Sequence, residues 1–263
     1  MSDYQTLEFS IENQVAIIKL NRPEAANGLN VEMAQELMQA AIVCEESEAV
    51  RAVLLTGNGK MFCAGGDLKT FAGYGDQLTA KIKELMVYMH SAISRFSRMD
   101  APVVVAINGM AAGAGFSIGV SGDLVYAAAS AQFTMAYTAA GLSPDGSASF
   151  YLPRLIGLRR TQELMLTNRR VSAEEALDWG LVTQVVADDE LYAQALATAE
   201  KLAQGPSRAY GTVKRLLQAS FQESLETQME LEAQGMAAMS KTVDGQEGIS
   251  AFVEKRKPSY QGK

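Results

Sequence analysis

The feature that most constrains the fold of this chain is a pattern that occurs twice. "RAVLLTG" (51–57) and "APVVVAIN" (101–108) are short, uniformly apolar runs, and each leads into a loop of small residues, "CAGGD" and "MAAGAG". A strand apolar on both sides is buried on both sides, which is the habit of parallel sheets covered by helices. Between the two runs, "DQLTAKIKELMVYMHSAISRFSRM" (76–99) repeats its apolar residues with the 3.6 period of a long helix. Strands alternating with helices predict βαβ units.

The rest of the chain extends the pattern. "TLEFSIENQVAIIKLNRP" (6–23) reads as two alternating strands joined at Asn13-Gln14, a hairpin signal. Asn30 is placed to cap a helix over "VEMAQELMQAAIVCEES" (31–47). "GNGKMFCAGGD" (57–67) reads as a loop, and "GMAAGAGFSIGVSGD" (109–123) as small residues opening a helix. "DLVYAAA" (123–129) and "AQFTM" (131–135) read as further strands. From Arg159 onward five segments have helical spacing, with one short strand, "LVTQVV" (181–186), among them. The expectation is an α/β core over residues 1–200 and a helical C-terminal region over 201–263 that packs on a neighbouring subunit.

Composition narrows what such a chain can do. With 263 residues, folding buries roughly 70–75% of the unfolded surface, so no metal or disulfide is needed to make a core. The two cysteines, Cys44 and Cys63, lack metal-ligand spacing and read as free thiols in a reducing compartment. One histidine, His90, excludes a His-rich metal site. A net charge of −7 argues against a nucleic-acid partner over any large surface. The N-terminus "MSDYQTLEFSIENQ" has neither a basic nor an apolar leader region, and no apolar run reaches membrane-spanning length. A soluble cytoplasmic protein is expected.

Four places are candidates for chemistry, each with a plainer alternative. In "FCAGGDL" (62–68), consecutive small residues leave backbone N–H groups open to an anion; the alternative is a turn before a helix capped by Asp67. In "NGMAAGAGFSIG" (108–119), a strand meets a helix whose N–H groups favour negative charge. Its glycines resemble a dinucleotide fingerprint only faintly, because no acid ends the following strand. In "GLSPDGSASF" (141–150), Asp145 is the one acid among small and apolar residues; it is a turn residue or a working carboxylate. His90 lies near Met86, Met89 and Ile93 on the long helix, and a packed histidine is the alternative to a catalyst. Met229, Met236 and Met239 read as packing surface, and Trp179 as the anchor of a helix end.

Taken together, the two Gly-rich loops, "NRPEAANGLN", "GLSPDGSASFYLPRLIG", "SAEEALDWGLVTQVV" and "EGISAFVEKRKPSY" resemble the crotonase, or enoyl-CoA hydratase/isomerase, superfamily. The resemblance covers nearly the whole chain. It implies a crotonase-like α/β spiral of ββα repeats with a helical trimerisation region, and an acyl-CoA thioester as substrate. It also implies an oxyanion hole made by the N–H groups of Gly66 and Ala114. Arg22 falls near the CoA phosphates, the carbonyls of Ala64 and Leu68 near the adenine, and Phe252 and Lys255 reach in from a neighbour. Family members are commonly trimers or pairs of trimers, and the resemblance implies no cofactor beyond CoA itself and no metal.

The departures from the family pattern select the chemistry. Hydratases carry glutamates where this chain has Ser117 and Tyr137, and relatives that shift two double bonds use acids there too. That leaves Asp145, at a position where Δ3,Δ2-enoyl-CoA isomerases and the phenylacetate-pathway epoxide-thioester isomerase keep their working acid. An isomerase with Asp145 as acid and base is expected, with Leu142 and Phe150 as apolar neighbours that raise its pKa. The alternative is a 4-chlorobenzoyl-CoA dehalogenase-like reaction with Asp145 as nucleophile. It draws on His90, but those enzymes have a Trp at Tyr137 and an aromatic at Gly66. An RNA-binding or scaffold role, known in some relatives, would predict a basic stripe that this acidic chain lacks.

Overall fold

A computed structural model describes residues 4–263; Met1, Ser2 and Asp3, which begin the segment read above as leader-free, lie outside them. The hairpin is present: β1 (Leu7–Glu12) pairs antiparallel with β2 (Val15–Leu20). Asn13 and Gln14 both take positive φ, as a tight two-residue turn requires. Three apolar runs then extend the sheet in parallel, β3 (Ala52–Gly57), β5 (Val103–Ile107) and β7 (Leu124–Ala128). β10 (Gln184–Val186) completes the order β1-β2-β3-β5-β7-β10. Every residue of β3 and β5 is buried, which is why neither shows alternation.

A second sheet lies beside the first and was not expected from the sequence. It has the order β4 (Met61–Cys63), β6 (Met110–Ala112), β8 (Gln132–Thr134), β9 (Val171–Ser172). The stretch 57–67, read as a loop, therefore contains a strand, and the small-residue stretch 109–123 begins with one. Strands of three residues are too short to carry a period, so their pairing comes from the layering alone. Each turn of the chain gives one strand to the large sheet, the next to the small one, and then a helix: β3–β4, β5–β6 and β7–β8. This is the spiral of ββα units.

The helices follow in order. α1 (Val31–Glu46) starts at Asn30, whose side chain accepts from Met33 N–H as expected of an N-cap. α2 (Leu68–Ala72) is a short turn after the first Gly-rich loop, and α3 (Leu78–Arg98) is the long amphipathic helix. α4 (Ala114–Val120) is wholly buried. α5 (Ala148–Thr167) begins eleven residues before the expected start at Arg159 and is broken by a non-helical Gly157. Pro153 and Gly157 mask its first half in the sequence. α6 (Ala173–Asp178) ends at Trp179, on which Arg160 and Arg169 stack at 4.5 and 4.8 Å. α7 (Leu191–Ala203) packs on β3, β5 and β7.

The C-terminal helices are α8 (Ser207–Ala219), α9 (Leu225–Met239) and α10 (Val243–Val253), the last not anticipated from sequence. α8 is fastened to the end of α3. Lys214 donates to the carbonyls of Phe96 and Ala101 and pairs with Asp123 at 2.8 Å. Arg215 donates to Arg98 O and Gln218 to Ser97 O, so three last-turn carbonyls of α3 have donors. Both cysteines are buried and free. Among the described residues no helix is long and apolar enough to cross a membrane.

Candidate active site

The two Gly-rich loops meet because each follows a strand of the small sheet, and β4 pairs with β6. The contact between them is close. A Cβ on Gly115 would fall 2.3 Å from the carbonyl oxygen of Cys63, so only glycine lets the first turn of α4 rest on β4. Gly113, the residue before that helix, has φ 50° and ψ −125°, a conformation unfavourable to any side chain. It turns the chain so that Ala114 opens α4 with an N–H that has no partner within the helix.

The first loop is pinned from the other side. Leu29 N–H donates to Gly65 O at 2.7 Å and Asp67 N–H donates to Leu29 O at 2.9 Å. In such a parallel bridge Gly66 between them turns its own N–H away from Leu29. Arg22 holds the same loop: it pairs with Asp67 at 2.9 Å and donates to Gly28 O. Burial pushes the Asp67 carboxyl up, but the Thr70 N–H and hydroxyl and the Arg22 guanidinium outweigh it and hold it below the usual value. Asp67 also caps α2, as the plainer reading of this loop expected.

Gly66 and Ala114 border one cavity of about 250 Å³, and Ala64, Leu68, Tyr137 and Asp145 border it too. Its apolar wall is Phe71, Ile82, Leu85 and Met86, with Leu142 over the mouth. Ile82 and Met86 lie four apart and so share one face of α3. Among the described residues lining this cavity, Asp145 is the one carboxylic acid.

A hydrogen-bonded chain ends on that acid. Tyr137 Oη donates to Asp145 Oδ1 at 2.6 Å, and Ser117 Oγ lies 2.9 Å from Tyr137 Oη. A phenol has one proton. With Asp145 ionised, that proton points to the carboxylate and Ser117 donates to the phenolic oxygen. Ser117 is fully buried on α4, so this support comes from the core rather than from solvent. Oδ2 of Asp145 has no protein partner among the described residues.

The electrostatics of the pair follow from burial. Burial pushes the Asp145 carboxyl above its ordinary value, against the opposing pull of the Tyr137 hydrogen bond and the nearby His90. Burial, and then the Asp145 charge, push the Tyr137 phenol far up, so it stays a donor. Cys63, beneath the loops, is pushed up to about 11 by burial and remains a thiol.

The remaining expected residues lie elsewhere. His90 is exposed, not packed: the 100° step along the helix turns it away from Met89, which is buried. Its Nε2 accepts weakly from Gly146 N–H at 3.4 Å, and it borders a second, larger cavity behind the Asp145–Gly146 turn. Phe150 also faces that second cavity and not the one holding Asp145, because its ring lies under the Arg154 guanidinium at 3.7 Å, one helical turn on. Only Leu142 of the two expected apolar neighbours borders the Asp145 cavity. Phe252 is 86% exposed, and neither it nor Lys255 borders the cavity of its own chain. Arg22 is no solvated surface charge, being engaged by Asp67.

Comparison with known proteins gives the family. The family model described as Enoyl-CoA hydratase/isomerase matches residues 10–263. The 1,2-epoxyphenylacetyl-CoA isomerase of Escherichia coli K12 is 36% identical over 257 residues, covering 96% of this chain and 97% of that one. A Rhodobacter capsulatus protein named "Probable enoyl-CoA hydratase" is 38% identical over 260 residues, covering 99% of both chains. The crystal structure of enoyl-CoA hydratase from Bacillus anthracis superposes with a TM-score of 0.92 at 34% identity, over 98% of this chain and 100% of that one.

Proposed function

The chain belongs to the enoyl-CoA hydratase/isomerase family, and within it we propose that it is an acyl-CoA isomerase working through Asp145. The observation that carries this reading is one carboxylate in a cavity that two backbone N–H groups also border, where neither those groups nor one of the carboxylate oxygens has a protein partner among the described residues.

In the proposed reaction the thioester oxygen lies on the N–H groups of Gly66 and Ala114. Oδ2 of Asp145 takes the proton from C2 of a 3-enoyl-CoA, the electron pair of that C–H bond forms the C1–C2 double bond, and the carbonyl π pair moves to the thioester oxygen. The C3–C4 double bond becomes part of a dienolate. Asp145, now carrying the proton, returns it to C4, and the double bond settles between C2 and C3. No atom is gained or lost. Each oxyanion donor is typically worth ~2.7–4 kcal/mol at the transition state. A raised carboxyl pKa favours the proton-carrying intermediate. Rearrangement of a related ring epoxide thioester would use the same enolate hole.

Water addition is less favoured because it needs a second acid to orient water. The family's two glutamate positions are Ser117 and Tyr137 here, and both are spent in supporting Asp145. The hydrolytic alternative, with Asp145 as nucleophile on a halobenzoyl-CoA, draws on His90 beside the Gly146 N–H. Halide release tests it directly.

The CoA moiety would lie along Ala64 and Leu68, with Arg22 able to reach a phosphate only by sharing its bond to Asp67. Phe252 and Lys255 would act from a neighbouring subunit of a cytoplasmic trimer or pair of trimers. Support for assembly comes from α9, which buries no residue and exposes Leu225, Met229 and Met236. Light scattering on the purified protein tests it.

The test of the reaction is to incubate the protein with 3-hexenoyl-CoA and identify the product by mass. A conjugated 2-enoyl thioester of unchanged mass supports the isomerase; a product heavier by one water supports a hydratase.

A further inference from the structure

What fixes the direction of the Gly66 N–H lies outside the Asp145 cavity. Gly66 sits between two hydrogen bonds to Leu29, one from Leu29 N–H to Gly65 O and one from Asp67 N–H to Leu29 O. Gly65 and Gly66 are the most permissive of residues, so a loop built on them keeps one geometry only if its flanks are held. On one side the Phe71 ring closes on Gly66, where a Cβ would fall 2.8 Å from Cε2 of that ring.

On the other side one side chain clamps both segments of the bridge. The Arg22 guanidinium donates through Nη1 to Gly28 O and through Nη2 to Asp67 Oδ2, the latter at 2.9 Å. Gly28 precedes Leu29 and Asp67 follows Gly66, so the fork crosses the bridge. The two segments are already in contact there, since a Cβ on Gly28 would fall 3.4 Å from that of Asp67. Arg22 is itself held from behind. Its N–H donates to Asn27 Oδ1 at 2.9 Å, and the fully buried Asn27 donates in turn to the carbonyls of Asn58 and Met61. The side chains of Arg22 and Asp67 are only 17% and 11% exposed, and Arg22 is not among the described residues that border the Asp145 cavity.

We propose that Arg22 is a positioning residue: its fork onto Gly28 and Asp67 aims the Gly66 N–H at the thioester oxygen, and it serves the oxyanion hole rather than a CoA phosphate. The proposal rests on the reading that Gly66 and Ala114 receive that oxygen. A planar guanidinium meets two acceptors at fixed angles, whereas a lysine is a point charge that satisfies a phosphate but does not hold two acceptors in one plane. The two roles therefore part at Arg22→Lys. They part again at Asp67→Asn, which releases the guanidinium from its charged partner while asparagine still caps α2.

Infrared spectroscopy of the full-length protein with hexanoyl-CoA, labelled with carbon-13 at the thioester carbonyl, tests the assignment. The ligand is saturated, so the measurement does not depend on double-bond chemistry. In the wild type the carbonyl stretch is expected to fall below its value in water, because two fixed N–H groups polarise the bond. Arg22→Lys is expected to remove about half or more of that shift, and Asp67→Asn a similar part, while affinity for the ligand changes by less than about threefold. With 3-hexenoyl substrates, Arg22→Lys is expected to lower kcat/KM about tenfold or more, by the same factor for the CoA thioester and for the N-acetylcysteamine thioester, which carries no phosphate. A carbonyl stretch equal in wild type and Arg22→Lys would overturn the proposal, as would a loss confined to the CoA thioester. Tighter CoA binding by Asp67→Asn with an unchanged stretch would overturn it too. A shift that depends on Arg22 in a protein that fails to isomerise 3-hexenoyl-CoA would support the positioning role and remove the reaction assigned to Asp145.

Discussion

Tyr137 Oη donates to Oδ1 of Asp145 at 2.6 Å, and Oδ2 of the same carboxylate has no protein partner among the described residues. The two residues come from one unit of the spiral, between its second strand and its helix. Tyr137 follows β8, and Asp145 sits on the irregular segment that leads into α5. Ser117, on α4, braces the phenol from behind at 2.9 Å. Ser117 and Tyr137, the two positions where the resemblance expected acids, thus form a hydrogen-bonded chain that ends on a single acid.

Tyr137→Phe removes the hydrogen bond that lowers the pKa of Asp145, and burial then acts with less opposition. A base works only when ionised, so the acid limb of the kcat/KM profile moves to higher pH. Hydrogen bonds to charged groups are worth about 1.5–3 kcal/mol, which corresponds to roughly a unit or more along the pH axis. Activity at alkaline pH recovers most of its value. An unmoved profile would show that the phenol does not tune the acid.

Asp145→Asn is expected to stabilise the fold at neutral pH. The Asp145 pKa is raised by burial, so folding takes up a proton between the ordinary carboxylate value and the raised one, and stability falls as pH rises through that window. Asparagine carries no such cost. Thermal melts should give the variant the higher Tm at pH 7, with the gap closing as pH falls below the ordinary aspartate value. A variant less stable than wild type at pH 7 would contradict the direction.

Gly113→Ala separates conformation from space. A Cβ there meets nothing nearer than 3.5 Å, but the residue sits at φ 50°. The variant should lose about 1–3 kcal/mol of stability from backbone strain. It should also lose about 10²–10³ in kcat by displacing the Ala114 N–H, with a smaller change in KM. Urea unfolding and steady-state kinetics check the two effects.

Lys214→Met should cost about 3–5 kcal/mol in urea unfolding, because it leaves Asp123 without its buried partner and two carbonyls without a donor. Adding Asp123→Asn should recover part of that loss. No recovery would mean that the carbonyls matter more than the ion pair.

How far the sequence could be read depended on the length of each signal. β3 and β5 are runs of five or six buried residues, and α3 keeps its period for 21, so their patterns outlast local noise. β4 and β6 have three residues each, and no period survives in three. The early half of α5 hides behind Pro153 and Gly157, and the same misreading placed Phe150 beside Asp145 when its helical position turns it away. Asp145 itself stood out because a lone acid among small residues is a local signal. Its bond to Tyr137 did not, since eight residues of irregular chain set no fixed geometry.

The most direct measurement compares wild type with Asp145→Asn on 3-hexenoyl-CoA, following the near-ultraviolet absorbance of the conjugated thioester, with affinity for saturated hexanoyl-CoA measured in parallel. The account predicts that the variant loses at least about 10²-fold in rate while binding the saturated ligand nearly as well. An Asp145→Asn enzyme that still isomerises at the wild-type rate would contradict it.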